Sequence, residues 1–206
     1  LHGKQHSFPT RRSSDLLSQV VFKAKTQYAN MRVDIRDIKI HNIRFSGVFT
    51  LPAAADGTGS WSSPDLTFPH AFTVVKDKSI TVEGNTTATD ISTSSPMLNI
   101  PQELTAWTVS GASKTKKGAD DAKQCYLEIS CKIQQSGVYL LGSASEYKII
   151  YVPFGVIWEP GKRHIYTLIF GGGYTDQGKA VLNPIQFDAE TTGWVDVDNK
   201  DVNVKP

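Results

Sequence analysis

Residues 173–180, GYTDQGKA, come within one residue of a phosphate-binding loop. In the pattern G-x-x-x-x-G-K-[ST], backbone N–H groups and the lysine surround the phosphates, and the final hydroxyl binds Mg²⁺. Ala180 stands where that hydroxyl belongs. The site also needs a following helix whose N-terminus faces the phosphates, whereas AVLNPIQF reaches Pro184 too soon to form one. We therefore predict a glycine-rich connection between two strands and no phosphate site.

Histidines and a short acidic turn are the other residues that could do chemistry. His41, His70 and His164 are far apart in strand-like sequence, and their spacing shows no Ser-His-Asp or Cys-His arrangement. We expect each to be a partly exposed strand residue. Residues 196–201, DVDNKD, begin like a calcium loop but lack the glycine at position six and the bidentate glutamate at position twelve. The sequence thus predicts no catalytic residue, no cofactor and no metal site.

The two cysteines lie in CYLEISCKI, where Cys125 and Cys131 share one face of a strictly alternating run. Such alternation is typical of a half-buried strand. Six positions along a strand span roughly 20 Å, whereas a disulfide needs Cα atoms about 4.4–6.8 Å apart. We predict two small buried thiols that do not pair with each other.

Tryptophan could serve as a stacking platform for a sugar. Trp61, Trp107 and Trp158 are candidate surface aromatic residues, and Trp194 is a fourth tryptophan near the end of the chain. The alternative is that each fills the core or covers the end of a sheet. We favour this alternative, since none of them lies in a cluster with Asn and Asp. Exposure of all three on one face would favour a sugar site.

The first sixteen residues differ in origin from the rest. HSFPTRRSSDL, residues 6–16, is similar to the in-frame translation of a short-read sequencing adapter, so we exclude 1–16 from fold reasoning as a non-native segment. That segment carries Lys4, Arg11 and Arg12 against Asp15, and the remaining chain has 19 basic and 19 acidic residues. This neutral balance gives no case for binding nucleic acid or an anionic membrane. No apolar run reaches the ~20 residues of a membrane span.

The sequence predicts short strands separated by turns, and these strands would position the histidines, cysteines and tryptophans named above. The phase of alternation slips between Ile35 and Ile38 and again before Ile43, which is typical of a bulge or a strand that changes sheets. Glu159-Pro160-Gly161-Lys162 has the residues of a type II turn. Residues 110–124 read as a hydrophilic loop, and no helical periodicity is sustained anywhere. We predict one all-β domain, a two-sheet antiparallel β-sandwich, over residues 17–206.

A family resemblance rests on several of these segments together. The resemblance is carried by six segments, which are SQVVFKAKT, FSGVFTLP, MLNIPQ, YVPFGVIWEPGKRHIYTLIF, PIQF and GWVD. It consists in their order and spacing, which resemble those of the C-terminal domain of fimbrillin-like proteins. Its most specific part runs from Trp158 to Leu168. The resemblance implies a transthyretin-like Greek key, preceded in the precursor by another sandwich domain and a lipid-anchoring signal. It implies a pilus or fimbria subunit at the outer membrane, not an enzyme.

The resemblance further implies assembly by donor-strand addition. In that mechanism a missing strand leaves unpaired backbone groups, and a strand from a neighbouring subunit satisfies them. The candidate donor residues are Val195, Val197, Val202 and Val204 in the tail. The expected partners are other fimbrial subunits in a head-to-tail polymer that contributes to adhesion. The tail's acidic residues leave open an alternative, a tip or accessory surface lipoprotein that binds a host glycan or protein.

Overall fold

Two main β-sheets dominate the computed structural model, which describes residues 16–53, 59–62, 71–92, 95–182 and 186–193. This architecture confirms the predicted β-rich sandwich. The larger sheet has eight strands, all paired antiparallel. In chain order they are β2 (Met31–His41), β5 (Ala71–Val75), β6 (Ile80–Glu83), β10 (Tyr126–Gln135), β11 (Val138–Leu141), β12 (Lys148–Pro153), β15 (Gly172–Tyr174) and β16 (Ala180–Leu182).

The smaller sheet has five strands and a mixed topology. They are β1 (Ser18–Thr26), β7 (Thr89–Asp90), β8 (Met97–Asn99), β14 (Lys162–Phe170) and β17 (Gln186–Gly193). β1 runs parallel to β14, with Val20 opposite His164. The prediction of purely antiparallel sheets is therefore wrong for this sheet. The transthyretin-like Greek key stays a prediction.

Two short antiparallel strand pairs lie outside the main sheets. β3 (Val48–Thr50) pairs with β4 (Ser60–Ser62), and β9 (Gln102–Leu104) pairs with β13 (Val156–Trp158).

The loop predicted over residues 110–124 contains helical structure instead. A short 3-10 helix at Gly111–Ser113 precedes helix α1 at Lys116–Asp121. The Thr115 hydroxyl caps α1 by accepting the Gly118 N–H at 3.1 Å. Two i,i+4 ion pairs, from Lys116 to Asp120 and from Lys117 to Asp121, support the helix along its surface. A helix of six residues has fewer than two turns and is too short to show a periodic apolar pattern, so the sequence reveals only that the segment is polar.

The core lies between the two sheets. Inward side chains of β1 and β14, such as Phe22 and Leu168, meet those of β2 and β10. Cys125 and Cys131 belong to this core as free thiols, as predicted. Burial raises the pKa of both thiols, that of Cys131 to about 12. They act as small apolar side chains.

A bulge in β2 occurs where the sequence phase slips. Ser130 is opposite Asp37 and Cys131 is opposite Ile35, so Arg36 is the extra residue. The Arg36 guanidinium lies 5.0 Å from the ring centre of Tyr147, and the Lys132 ammonium approaches the same ring to 4.4 Å. The bulge therefore turns Arg36 outward onto the loop before β12.

Both predicted turns near the C-terminal part of the chain are present. Gly161 has a φ of 68°, as the third position of a type II turn requires. Residues 172–182 form the β15–β16 hairpin, which confirms a connection between strands in place of a phosphate loop. Within it Gly178 has a φ of 67° and lies so close to the Lys114 carbonyl that a Cβ would collide with it.

Candidate assembly site

In the described part of the chain, the smaller sheet ends at β17, and we call its unpaired side the open margin. β17 pairs along its length with β14, from Gly193 opposite Lys162 to Gln186 opposite Ile169. Among the described residues no strand pairs with its other side. An unpaired strand margin presents a row of free backbone donors and acceptors, which is what strand addition requires.

β17 also extends beyond the cover of the larger sheet. Ala189 is opposite Tyr166, whose side chain belongs to the core, so Ala189 points to the same inner side. Ala189 and Thr191 are nevertheless exposed. The inner side of this margin therefore has room for a further element.

Side chains connect β17 to the rest of the sheet at two points. Nδ1 of His164 lies 3.4 Å from the Thr191 hydroxyl, and Lys25 Nζ lies 3.9 Å from Asp188. Nε2 of His164 accepts the Glu159 N–H at 3.1 Å. Burial lowers the pKa of His164 and favours the neutral ring. His164 is buried, so the prediction of a partly exposed strand residue is wrong for it.

Two of the three candidate surface aromatic residues are buried. Trp107 is 2 % exposed and Trp158 is 1 % exposed, so neither can present its ring to a ligand, and the core-filling interpretation holds for both. Trp61 is half-buried, its ring centre 5.3 Å from that of Phe49, and its Nε1 donates to the Leu16 carbonyl at 2.8 Å. The three tryptophans do not form one exposed face, which argues against the sugar platform.

An aromatic cluster on the outer face of the larger sheet was missed from the sequence. Trp107 packs on Tyr126 with ring centres 5.6 Å apart, and Tyr126 packs on Tyr151 at 5.7 Å. Tyr174 from β15 lies 6.0 Å from Trp107. Ala119 of α1 belongs to the same cluster. The outer face of β10 is thus covered here, and the strand is not half-exposed as its alternation predicted.

Charged groups surround this cluster in pairs. Glu128 accepts from Lys39 Nζ at 3.1 Å, and its other oxygen lies 3.2 Å from Nε2 of His41. The contact with His41, aided by Lys39 and opposed by burial, lowers the pKa of Glu128 to about 2.

Asp120 is the second acidic centre of this face. It accepts from the Tyr126 hydroxyl at 2.7 Å, from Asn42 at 3.1 Å and from Lys116 at 2.9 Å. Burial alone would raise the pKa of Asp120, but these bonds outweigh it and lower that pKa. Both carboxylates therefore serve to fix α1 and the strands in place.

Metal-ligating side chains do not converge in the described part of the chain. No three of its His, Cys, Asp and Glu side chains are placed to hold a metal ion. His41 and His164 occupy the structural positions given above. His70 and the acidic turn at 196–201 lie outside the described residues, as do Trp194 and the candidate donor residues Val195, Val197, Val202 and Val204. Among the described helices none is long and apolar enough to cross a bilayer.

The fold places the chain in the class of β-rich sandwich proteins built from two main sheets. A sequence model of fimbrillin-like proteins matches residues 14–194, so the chain belongs to the fimbrillin-like family, which is a family of structural and adhesion proteins of the cell surface. No curated protein sequence matches the chain.

Two solved structures are similar to the chain. One is a fimbrial protein from Bacteroides vulgatus, with a TM-score of 0.40 and 12% identity over 87% of this chain and 55% of that one. The other is a proposed cell adhesion protein from Parabacteroides distasonis, with a TM-score of 0.44 and 12% identity over 89% of this chain and 53% of that one. The chain spans about half the length of these two proteins.

Proposed function

We propose that this protein is a structural subunit of a cell-surface fimbria and that its copies assemble by strand addition. The observation that carries the proposal is the open margin of β17, which lacks a strand neighbour in the described chain and is exposed on its inner side. A strand added there would satisfy its backbone groups. Because donor and acceptor surfaces differ, such a contact is heterologous and extends into a fibre.

The donor in this proposal is the tail of a neighbouring subunit. Val195 and Val197, or Val202 and Val204, alternate with polar residues and would place their side chains on one side of an added strand. Family membership supports a location at the cell surface and partners that are other fimbrial subunits. We infer that the precursor is lipid-anchored.

Residues 17–206 would be the second of two domains in that precursor. The support is the resemblance of its segments to the C-terminal domain of fimbrillin-like proteins.

Deleting residues 195–206 from the native full-length precursor tests the role of the tail. We expect fibres to be lost in electron micrographs of the cell surface while the subunit is still exported. The matched control replaces Asp196 and Asp198 with Asn and keeps the valines, and it should still form fibres. Fibres at wild-type yield from the deleted chain would remove the tail from the mechanism.

A further inference from the structure

A polar cavity lies beside the end of β2, and we call it the Asn42 cavity. Its volume is about 270 Å³, and it is lined by residues from three segments, which are 42–44, 102–105 and 122–124. Pockets for drug-sized ligands usually measure about 300–1,000 Å³, so this cavity suits one smaller polar molecule, such as a single sugar ring. Asn42 is buried, whereas Arg44, Glu103 and Lys123 are exposed around it.

The buried side chain of Asn42 has one oxygen without a partner. Asn42 is 3 % exposed, and its Nδ2 donates to Asp120 at 3.1 Å and to the Gln124 carbonyl at 2.7 Å. These two acceptors fix the orientation of the amide, because its oxygen could not bond to either of them. Its Oδ1 is left without a hydrogen-bond partner in the described chain. Buried oxygens usually have a donor, and a hydroxyl group of a bound molecule would supply one here.

Two cations line the same cavity without a counter-ion. Neither Arg44 nor Lys123 forms an ion pair with the described residues. The acidic side chains of α1 next to Lys123, Asp120 and Asp121, are each paired with a lysine of the same helix. The two unpaired cations are therefore available to the carboxylate of a ligand, which both guanidinium and ammonium groups bind.

Hydrogen bonds fix the backbone that carries each cation. The side-chain amide of Gln102 accepts the Arg44 N–H and donates to the Arg44 carbonyl, each at 3.0 Å. Lys123 follows α1 with a φ of 55°, and its N–H donates to the Asp120 carbonyl. This is the position at which a helix commonly ends in glycine. Glycine would fit it with less strain than lysine, so the lysine side chain can be removed without harm to the fold.

A carboxylate narrows the class of ligand. The side chain of Glu103 lines the cavity and has no hydrogen bond or ion pair with the described residues. It repels an inorganic anion such as sulfate, but it can accept a hydrogen bond from a hydroxyl group. Together with Asn42 it gives the cavity two acceptors for hydroxyl groups beside the two cations. A neutral sugar would use only the acceptors and an inorganic anion only the cations, whereas a sugar with a carboxylate would use both.

We propose that the Asn42 cavity binds one carboxylated sugar residue of a glycan. Its carboxylate lies against Arg44 and Lys123, and its hydroxyl groups donate to Asn42 and Glu103. This site would give the protein an adhesive function of its own. It is separate from the open margin of β17, so sugar binding does not require assembly of a fibre.

Isothermal titration calorimetry of the native full-length protein with sodium glucuronate tests the site. Glucose and sodium sulfate are the matched probes, because glucose lacks the carboxylate and sulfate lacks the hydroxyl groups. We expect a millimolar Kd for glucuronate and binding at least about tenfold weaker for the other two, since each loses one set of contacts. Sulfate bound as tightly as glucuronate would show a site for an adventitious ion only and overturn the proposal. Glucose bound as tightly, or no binding of glucuronate, would overturn it as well.

Two substitutions assign the binding to this cavity. Lys123→Gly should weaken glucuronate binding about tenfold while the fold remains intact, which circular dichroism checks. Arg44→Ala should weaken it by a similar factor, and its exposed side chain makes it the second variant if the first does not fold. Lys78→Ala is the matched control, because Lys78 is an exposed lysine in the turn between β5 and β6 and does not line the cavity. Unchanged affinity in both cavity variants, or an equal loss in the control, would overturn the proposal.

Electron microscopy of fibres distinguishes failure of this site from failure of the proposed function. Lys123→Gly should form fibres as the unaltered protein does, because the cavity has no part in strand addition. Fibres from a protein that does not bind glucuronate would overturn the sugar site and leave the fimbrial function standing. Glucuronate binding by a protein that forms no fibres would support the site and count against the fimbrial function.

Discussion

Nδ1 of His164 lies 3.4 Å from the hydroxyl of Thr191, and this contact connects β14 to the edge strand β17. Nε2 of the same ring accepts the Glu159 N–H, so the proton of the neutral imidazole is on Nδ1, facing Thr191. One neutral histidine therefore joins the type II turn to the open margin.

The first prediction concerns the pH dependence that follows from His164. Its pKa in the folded protein is lowered below the unfolded value of about 6.5. The stability that it provides is therefore complete above about pH 6.5 and is lost as the pH falls from there through the folded pKa. His164→Gln should lower the free energy of unfolding by about 1 kcal/mol at pH 7.5 and by less at pH 5. Urea unfolding at both pH values measures this, and an equal loss at both would contradict it.

The second prediction concerns acid stability and Glu128. Its pKa in the folded protein is about 2, below the unfolded value of about 4.3. Its contribution is present above about pH 4.3 and is lost as the pH falls through 2. Glu128→Gln should cost about 1–2 kcal/mol at pH 6 and little at pH 2.

Glu146 provides the control for that measurement. It pairs with Lys148 at 2.6 Å, but its side chain is 59% exposed, and exposed pairs contribute little. Glu146→Gln should leave the acid unfolding curve of the protein unchanged. A loss equal to that of Glu128→Gln would assign the acid sensitivity to net charge and not to the pair with His41.

The third prediction separates the tryptophans. Trp158→Ala should lower the free energy of unfolding by about 3–5 kcal/mol, because it leaves a large cavity in the core. Trp61→Ala removes a half-buried ring in a peripheral strand pair and should cost about 1 kcal/mol. Urea unfolding compares them, with Trp158→Phe as the milder variant if the alanine variant does not fold. A Trp158 variant as stable as the Trp61 variant would contradict the core assignment.

Local sequence patterns predicted those features that depend on neighbouring residues. The alternation around Cys125 and Cys131 predicted a strand with one buried face, the phase slip after Ile35 located the bulge at Arg36, and Pro160-Gly161 specified the turn. In each case the side-chain period or the backbone conformation of two or three residues decides the structure.

Local sequence patterns could not predict the features that depend on residues far apart in the sequence. The sequence alone predicts an exposed outer face of β10, because Tyr126, Glu128 and Lys132 have polar groups. In the structure, part of this face is covered by the segment around Trp107 and α1, which the local sequence of β10 does not reveal. The open margin of β17 depends on which strands are neighbours in space. Alternation alone does not specify that order.

The parallel pairing of β1 with β14 has a consequence for how the chain folds. Val20 and His164 are partners although 144 positions separate them. At a synthesis rate of about 5–20 residues per second, roughly 7–30 seconds pass on the ribosome before the partner of Val20 exists. Such distant pairing also slows folding, because a long loop must close first. The newly made polypeptide therefore stays incompletely folded until β14 has emerged, which leaves time for a chaperone to bind it.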